Sequence, residues 1–293
     1  MDQSRAPSLL EFWRHPQLAS DPFARLRIGD WIGWVCLMLV LSYMGEAVSM
    51  GALHLLGHAL PADRFIMHMV SHPSWRFAAL LLVAPVLEEL TFRCFLSTSP
   101  RALAIGLGFA GVFVAGQVIQ GVRTLAGTPP LLPHDIALHY FVNLLIGLPI
   151  AALLAGVAWV ARRALLRGMR RFAPWVVWTS VLLFAAAHMF NFGVGYQFWL
   201  LWLTLPQLMA GLVLTHLRVQ YGLRWSIAAH LAFDWALVLV AWTHHAAALG
   251  MPMKILAGLF SLLMLAMIVR GLFFLFRRGV LRAALPEPAA VPH

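Results

Sequence analysis

Eight stretches of about twenty apolar residues follow one another along this chain, separated by short breaks that carry arginine. They run at about 31–57, 75–97, 101–122, 138–161, 175–192, 198–217, 223–243 and 253–276. A helix needs about 20 such residues to cross the hydrocarbon of a bilayer. A backbone in hydrocarbon must also satisfy its own polar groups, which a helix does within one segment. The pattern therefore predicts an all-α fold, a polytopic transmembrane helical bundle of about eight spans covering 31–276. Pro85, Pro149 and Pro206 fall inside spans, where neighbouring helices can re-satisfy the carbonyls they free. Residues 1–30 are polar and contain Pro7, Pro16 and Pro22. They read as a cytoplasmic segment with no cleavable leader, and Phe12, Trp13 and Phe23 suit it to the membrane interface. Residues 277–293 read as a cytoplasmic tail.

Charge gives the orientation. Only 11% of residues are charged and 61% are apolar, against about 25% and 45–50% in soluble domains. A water-soluble enzyme, a disordered regulator and a coiled coil are excluded. The net charge of +10 would ordinarily raise nucleic acid as a partner. The arginines lie between apolar runs, however, so membrane topology accounts for them and no nucleic-acid partner is expected. With the N-terminus inside, fifteen cations fall on the cytoplasmic side and four (Arg64, Arg76, Arg123 and Lys254) on the other; Arg93 and Arg270 lie within spans. That asymmetry predicts both termini in the cytoplasm. Lys254 is the sole lysine among 21 cations, a bias that suggests a GC-rich bacterial genome and hence a plasma (inner) membrane. Cys36 and Cys94 sit inside apolar runs and predict no disulfide framework.

Ionisable groups within spans cost about 2.5–3.5 kcal/mol each and mark pathways or chemistry. Four of them, Glu88, His188, His230 and Asp234, lie about 12–21 Å from the cytoplasmic ends of their spans at ~1.5 Å per residue. Three helices thus bring four polar groups to one level. Glu89 and Arg93 are four apart, the favourable order for a helical ion pair. Glu88 points elsewhere and is left as the carboxylate available for general-base work. His230 and Asp234 share one helix face, as do Phe184 and His188.

Pro85-Val86-Leu87-Glu88-Glu89-Leu90-Thr91-Phe92-Arg93 fits an EExxxR signature, Phe184 to His188 fits FxxxH, and His230 to Asp234 fits HxxxN/D. In that order and spacing the chain resembles the CPBP family (CAAX proteases and bacteriocin-processing enzymes, also called ABI) over a core at about 75–243. The resemblance implies an intramembrane glutamate-type endopeptidase acting on a peptide precursor or membrane-protein substrate within the lipid bilayer. It implies that Glu88 activates a water that His188 helps to position, that Glu89 and Arg93 are structural, and that His230 with residue 234 holds the oxyanion. Asp234 departs from the commoner Asn and can donate only when protonated; the alternative is that it orients His230 as a carboxylate. No cofactor is implied, although Glu88, His188 and His230 are an alternative set of zinc ligands. Prenylated tails are substrates of eukaryotic relatives. A bacterial source would favour a secreted precursor or membrane-protein fragment instead.

Two other functions fit parts of the pattern. A catalytically idle binding or immunity factor would keep the motifs for structure. A proton-coupled transporter would string Glu46, Glu88 and Asp234 across the membrane. Glu46 belongs to no motif and reads as a buried polar contact or a cavity liner. His54 and His58 lack the Glu of a zinc-protease helix. Gly106, Gly108, Gly111 and Gly116 read as close helix packing. The loops name neither the substrate nor an oligomeric state.

Overall fold

The computed structural model describes residues 9–18, 26–58, 75–125, 133–189, 202–246 and 251–277. Ten helices occupy them: α1 Leu9–Arg14, α2 Ile28–Leu55, α3 Trp75–Phe92, α4 Pro100–Leu125, α5 Pro133–Val160, α6 Arg162–Arg171, α7 Ala173–Ala187, α8 Leu205–Tyr221, α9 Leu223–Ala246 and α10 Met251–Arg277. No strand is present among the described residues. Each of the eight apolar stretches carries a helix. Four of these helices are long and apolar enough to cross a membrane: Ile28–Leu55, Pro100–Val118, Leu223–Trp242 and Lys254–Leu275. A fifth crossing arises if Leu144–Val160 and Arg162–Arg171, bent by 82° from one another, are taken together. The helices α3, α7 and α8 have 18, 15 and 17 residues. At ~1.5 Å per residue these reach about 22–27 Å, short of the ~30 Å hydrocarbon core. The C-terminal tail beyond Arg277, residues 59–74, 126–132, 190–201 and 247–250, and parts of the N-terminal segment lie outside the described residues.

The helix α8 is the axis of the bundle. Every residue from Ala210 to Val219 is buried, and α8 packs against α2, α7, α9 and α1. Small residues allow this proximity. Ser42, Gly45 and Ser49 form a stripe on one face of α2. A Cβ on Gly45 would meet the Leu205 and Pro206 backbone at 3.0–3.1 Å. The Ser42 hydroxyl donates to the Pro206 carbonyl at 3.2 Å and that of Ser49 lies 2.5 Å from the Trp202 carbonyl. Glu46 lies beside this stripe and is exposed, which corrects the expectation of a buried contact and leaves that of a cavity liner.

A second seam joins α4 to α5. Gly108 faces the Ala151 carbonyl and the Ala155 methyl, and Gly111 faces Leu154. Gly106 closes instead on the backbone of Phe95. Gly116, expected to pack in the same way, has nothing within 4 Å. Overpacking of this kind costs about 1–3 kcal/mol. Gly108→Val is therefore expected to lower the thermal midpoint in detergent, whereas Gly116→Val leaves it in place.

The short α1 belongs to the core. Its Leu9 and Phe12 are 2% and 3% exposed, and Phe12 lies edge-on to the His216 ring of α8 at 5.3 Å. Leu9 and Phe12 are thus buried against protein; Trp13 is half-buried, and Phe23 lies outside the described residues.

Candidate active site

The ends of two helices, α3 and α7, and the first half of α9 build the site. The α-helical part of α3 stops at Phe92, inside the bundle, so its last carbonyls need donors. Ser180 of α7 donates to the Phe92 carbonyl. The Arg218 guanidinium of α8 donates to the carbonyls of Arg93 (3.0 Å) and Cys94 (2.9 Å). Arg218, counted by its position among the cytoplasmic cations, is thus 3% exposed and turned inward. This cap fixes the last turn of α3, which carries Glu88 and Glu89.

Glu89 and Arg93 are fully buried and form the expected ion pair. Arg93 also donates through Nε to the Thr215 hydroxyl at 3.2 Å, and its guanidinium lies 4.1 Å from the centre of the Phe184 ring. Glu89 receives a hydrogen bond from the Ser226 hydroxyl. Its Oε1 is 3.0 Å from Nδ1 of His230. A carboxylate held by Arg93 and Ser226 acts as acceptor, so Nδ1 carries the proton and Nε2 of His230 points the other way. Glu89 therefore orients the imidazole in addition to pairing with Arg93. Asp234 Oδ1 lies 3.7 Å from Nε2, within ion-pair distance but beyond hydrogen-bond range.

Above this sealed layer is a more open one. Glu88, His188 and Asp234 have side chains 30%, 19% and 28% exposed, against 3% for His230. Glu88 Oε2 lies 3.9 Å from His188 Nε2 and 3.6 Å from His230 Nε2. The Nδ1 of His188 is 2.8 Å from the Phe184 carbonyl. A carbonyl can only accept, so that nitrogen is the protonated one and Nε2 offers a lone pair toward Glu88. Phe184 forms the aromatic wall, with ring centres 4.7 Å from His188 and 5.6 Å from His230. Glu88, His188, His230 and Asp234 thus meet, at the level their positions in the sequence predicted.

For the zinc alternative, donors on one tetrahedral zinc at 2.0–2.2 Å stand about 3.3–3.6 Å apart, and Glu88 Oε2 lies 3.6 Å from His230 Nε2 and 3.9 Å from His188 Nε2. Among the described residues no group of three His, Cys, Asp or Glu is disposed to hold a metal ion.

Sequence reasoning missed Ser226, Thr215 and Arg218. Ser226 had a usable signal, since it stands four residues before His230 and so shares its face. Ser226→Ala removes one donor from a buried carboxylate and is expected to cost about 1–3 kcal/mol. Loosening of His230 should lower turnover as well; thermal unfolding and initial rates measured on one preparation check both effects.

A protein-family model described as type II CAAX prenyl endopeptidase Rce1-like matches residues 70–236, more than half of the chain. Neither the curated proteins nor the solved structures give a match.

Proposed function

Since the chain belongs to the Rce1-like family of type II CAAX prenyl endopeptidases, a peptidase family whose members act in the membrane, we propose that it is a glutamate-type intramembrane endopeptidase with Glu88 as its general base. The observation that carries this reading is the partly exposed Glu88 carboxylate, 3.6 and 3.9 Å from imidazoles on two other helices. Glu88 takes a proton from a water whose orientation the His188 lone pair helps to set. The resulting hydroxide attacks the scissile carbonyl, and Glu88 returns the proton to the leaving amine. His230, held by Glu89, presents Nε2 beside Glu88, where, doubly protonated, it donates to the oxyanion. Asp234 lies 3.7 Å from that nitrogen and balances its charge.

The substrate in this reading is a secreted peptide precursor or a membrane-protein segment, and the location is a bacterial plasma membrane, supported by the bias toward arginine. The topology has eight membrane-entering helices with both termini cytoplasmic. The fifteen-to-four cation asymmetry supports this arrangement even with Arg218 removed from the larger group. The experiment compares membrane and secreted peptides from cells carrying wild type, Glu88→Gln or Glu89→Gln, with protein level monitored. A defined peptide should vanish with Glu88→Gln at unchanged protein level, and Glu89→Gln should lower the protein level as well. Identical peptide profiles together with a surviving cellular phenotype would reject the peptidase reading in favour of a binding protein.

A further inference from the structure

The helix α6 is built unlike its neighbours. Its sequence, RRALLRGMRR, holds five arginines and no acid, and none of its residues is buried. It follows α5 after an 82° turn and packs against α4, α5 and α7. Arg163, Arg167, Arg170 and Arg171 are exposed. Their spacing of i, i+4, i+7 and i+8 sets them on one face of the helix. Leu165, Leu166 and Met169 are half-buried beneath them.

Among the described residues this face meets no counter-charge. Between Glu89 and Asp234 the chain contains a single acid, Asp135, which sits in the first turn of α5, at the opposite end of that helix from α6. Among the described residues no carboxylate pairs with any of the four arginines. The flanks mark the height of the helix. Exposed apolar side chains run along α5 to Val160 (82% exposed) and resume with Phe172 (52%) and Trp175 (75%) at the start of α7. Arg162 lies over the Trp159 ring at 4.6 Å and donates to the Trp159 carbonyl at 2.7 Å. Aromatic rings of this kind sit at headgroup level.

We propose that α6 lies in the membrane plane as a docking strip for anionic phospholipid headgroups. The arginine face takes up the phosphates, while Trp159, Phe172 and Trp175 reach into the boundary with the acyl chains. Because α6 leads directly into α7, this contact also sets the height of the helix that ends at His188. The proposal is independent of the peptidase reading and is tested without any activity measurement.

The test titrates the full-length detergent-solubilised protein with phosphatidylglycerol or phosphatidylcholine, read by native mass spectrometry and by the thermal midpoint. Phosphatidylglycerol should bind more tightly, with an affinity that falls as salt is raised. Each arginine near an anionic surface contributes about fivefold, so the variant R163Q/R167Q/R170Q/R171Q should lose at least tenfold. The matching four-lysine variant should stay within a few-fold of wild type, and R101Q/R224Q should not differ from it. If the glutamine variant does not fold, the lysine variant and the salt dependence of wild type decide the matter. Equal affinity for the two lipids, no salt dependence, or full affinity in the glutamine variant would overturn the proposal. Saturation by inorganic phosphate alone would mark a small-anion site, and displacement of phosphatidylglycerol by soluble polyglutamate would mark a peptide surface; either result overturns it too.

Discussion

Glu88→Gln is expected to lower peptide hydrolysis by about a thousandfold while leaving the fold intact. A positioned general base contributes typically about 10²–10⁴-fold, and Gln keeps the size of the side chain while losing the ability to accept a proton. Stability should hold because Glu88 belongs to the more open layer: its side chain is 30% exposed and it takes no part in the contacts that hold Arg93. Initial rates on the peptide identified in cells, with thermal unfolding on the same preparation, separate the two effects. A residual rate above about a tenth of wild type would remove Glu88 from the role of base. Asp234→Asn serves as the contrast. It restores the commoner residue of the motif and an amide that donates unconditionally, so activity should stay within about tenfold of wild type.

Arg93→Met is expected to be the most damaging substitution for folding. It strips the fully buried Glu89 of its cation and removes the donor to Thr215 and the stack on Phe184. Breaking one partner of a buried pair costs about 3–5 kcal/mol, a large part of the 5–15 kcal/mol that a domain typically has. Little folded protein should be recovered. The double variant Arg93→Met with Glu89→Leu should recover much of the loss, since a buried pair can often be exchanged for apolar groups at little cost. It should nonetheless remain inactive, because His230 loses the carboxylate on Nδ1. Unfolding midpoints for the two variants check the first claim and turnover of the double variant the second. Recovery of both folding and activity would mean that Glu89 is dispensable for orienting His230.

Helical periodicity made the centre of the site legible. Four-residue spacing places Glu89 with Arg93 and His230 with Asp234, and rise per residue places Glu88, His188 and His230 at one level; the distances agree with both. Contacts between helices carry no such local signature. Nothing in the sequence around Arg218 says that its side chain crosses to the carbonyls of residues 93 and 94, since an arginine beside an apolar run reads equally well as an interfacial anchor. The close seam of α2 with the residues around Pro206 was hidden for a similar reason: it runs along the small residues Ser42, Gly45 and Ser49, which hydropathy does not weigh. The break between the spans at 138–161 and 175–192 was legible only as an arginine-rich connection, and hydropathy gave no sign that it forms a ten-residue amphipathic helix of its own. The Rce1-like match over 70–236 and the core drawn at 75–243 cover nearly the same residues.

The position of Arg93 four residues after Glu89 bears on how the chain is made. The other groups that hold Glu89 and Arg93 arrive late: Thr215, Ser226 and His230 follow their partners by 122, 137 and 141 residues. During synthesis α3 reaches the bilayer long before they exist. An acid and a base that meet within one helical turn let Glu89 and Arg93 enter lipid as a neutral pair, needing no partner from later in the same polypeptide. Had the cation been placed on α8 or α9, the newborn segment would have carried two bare carboxylates into hydrocarbon instead of one.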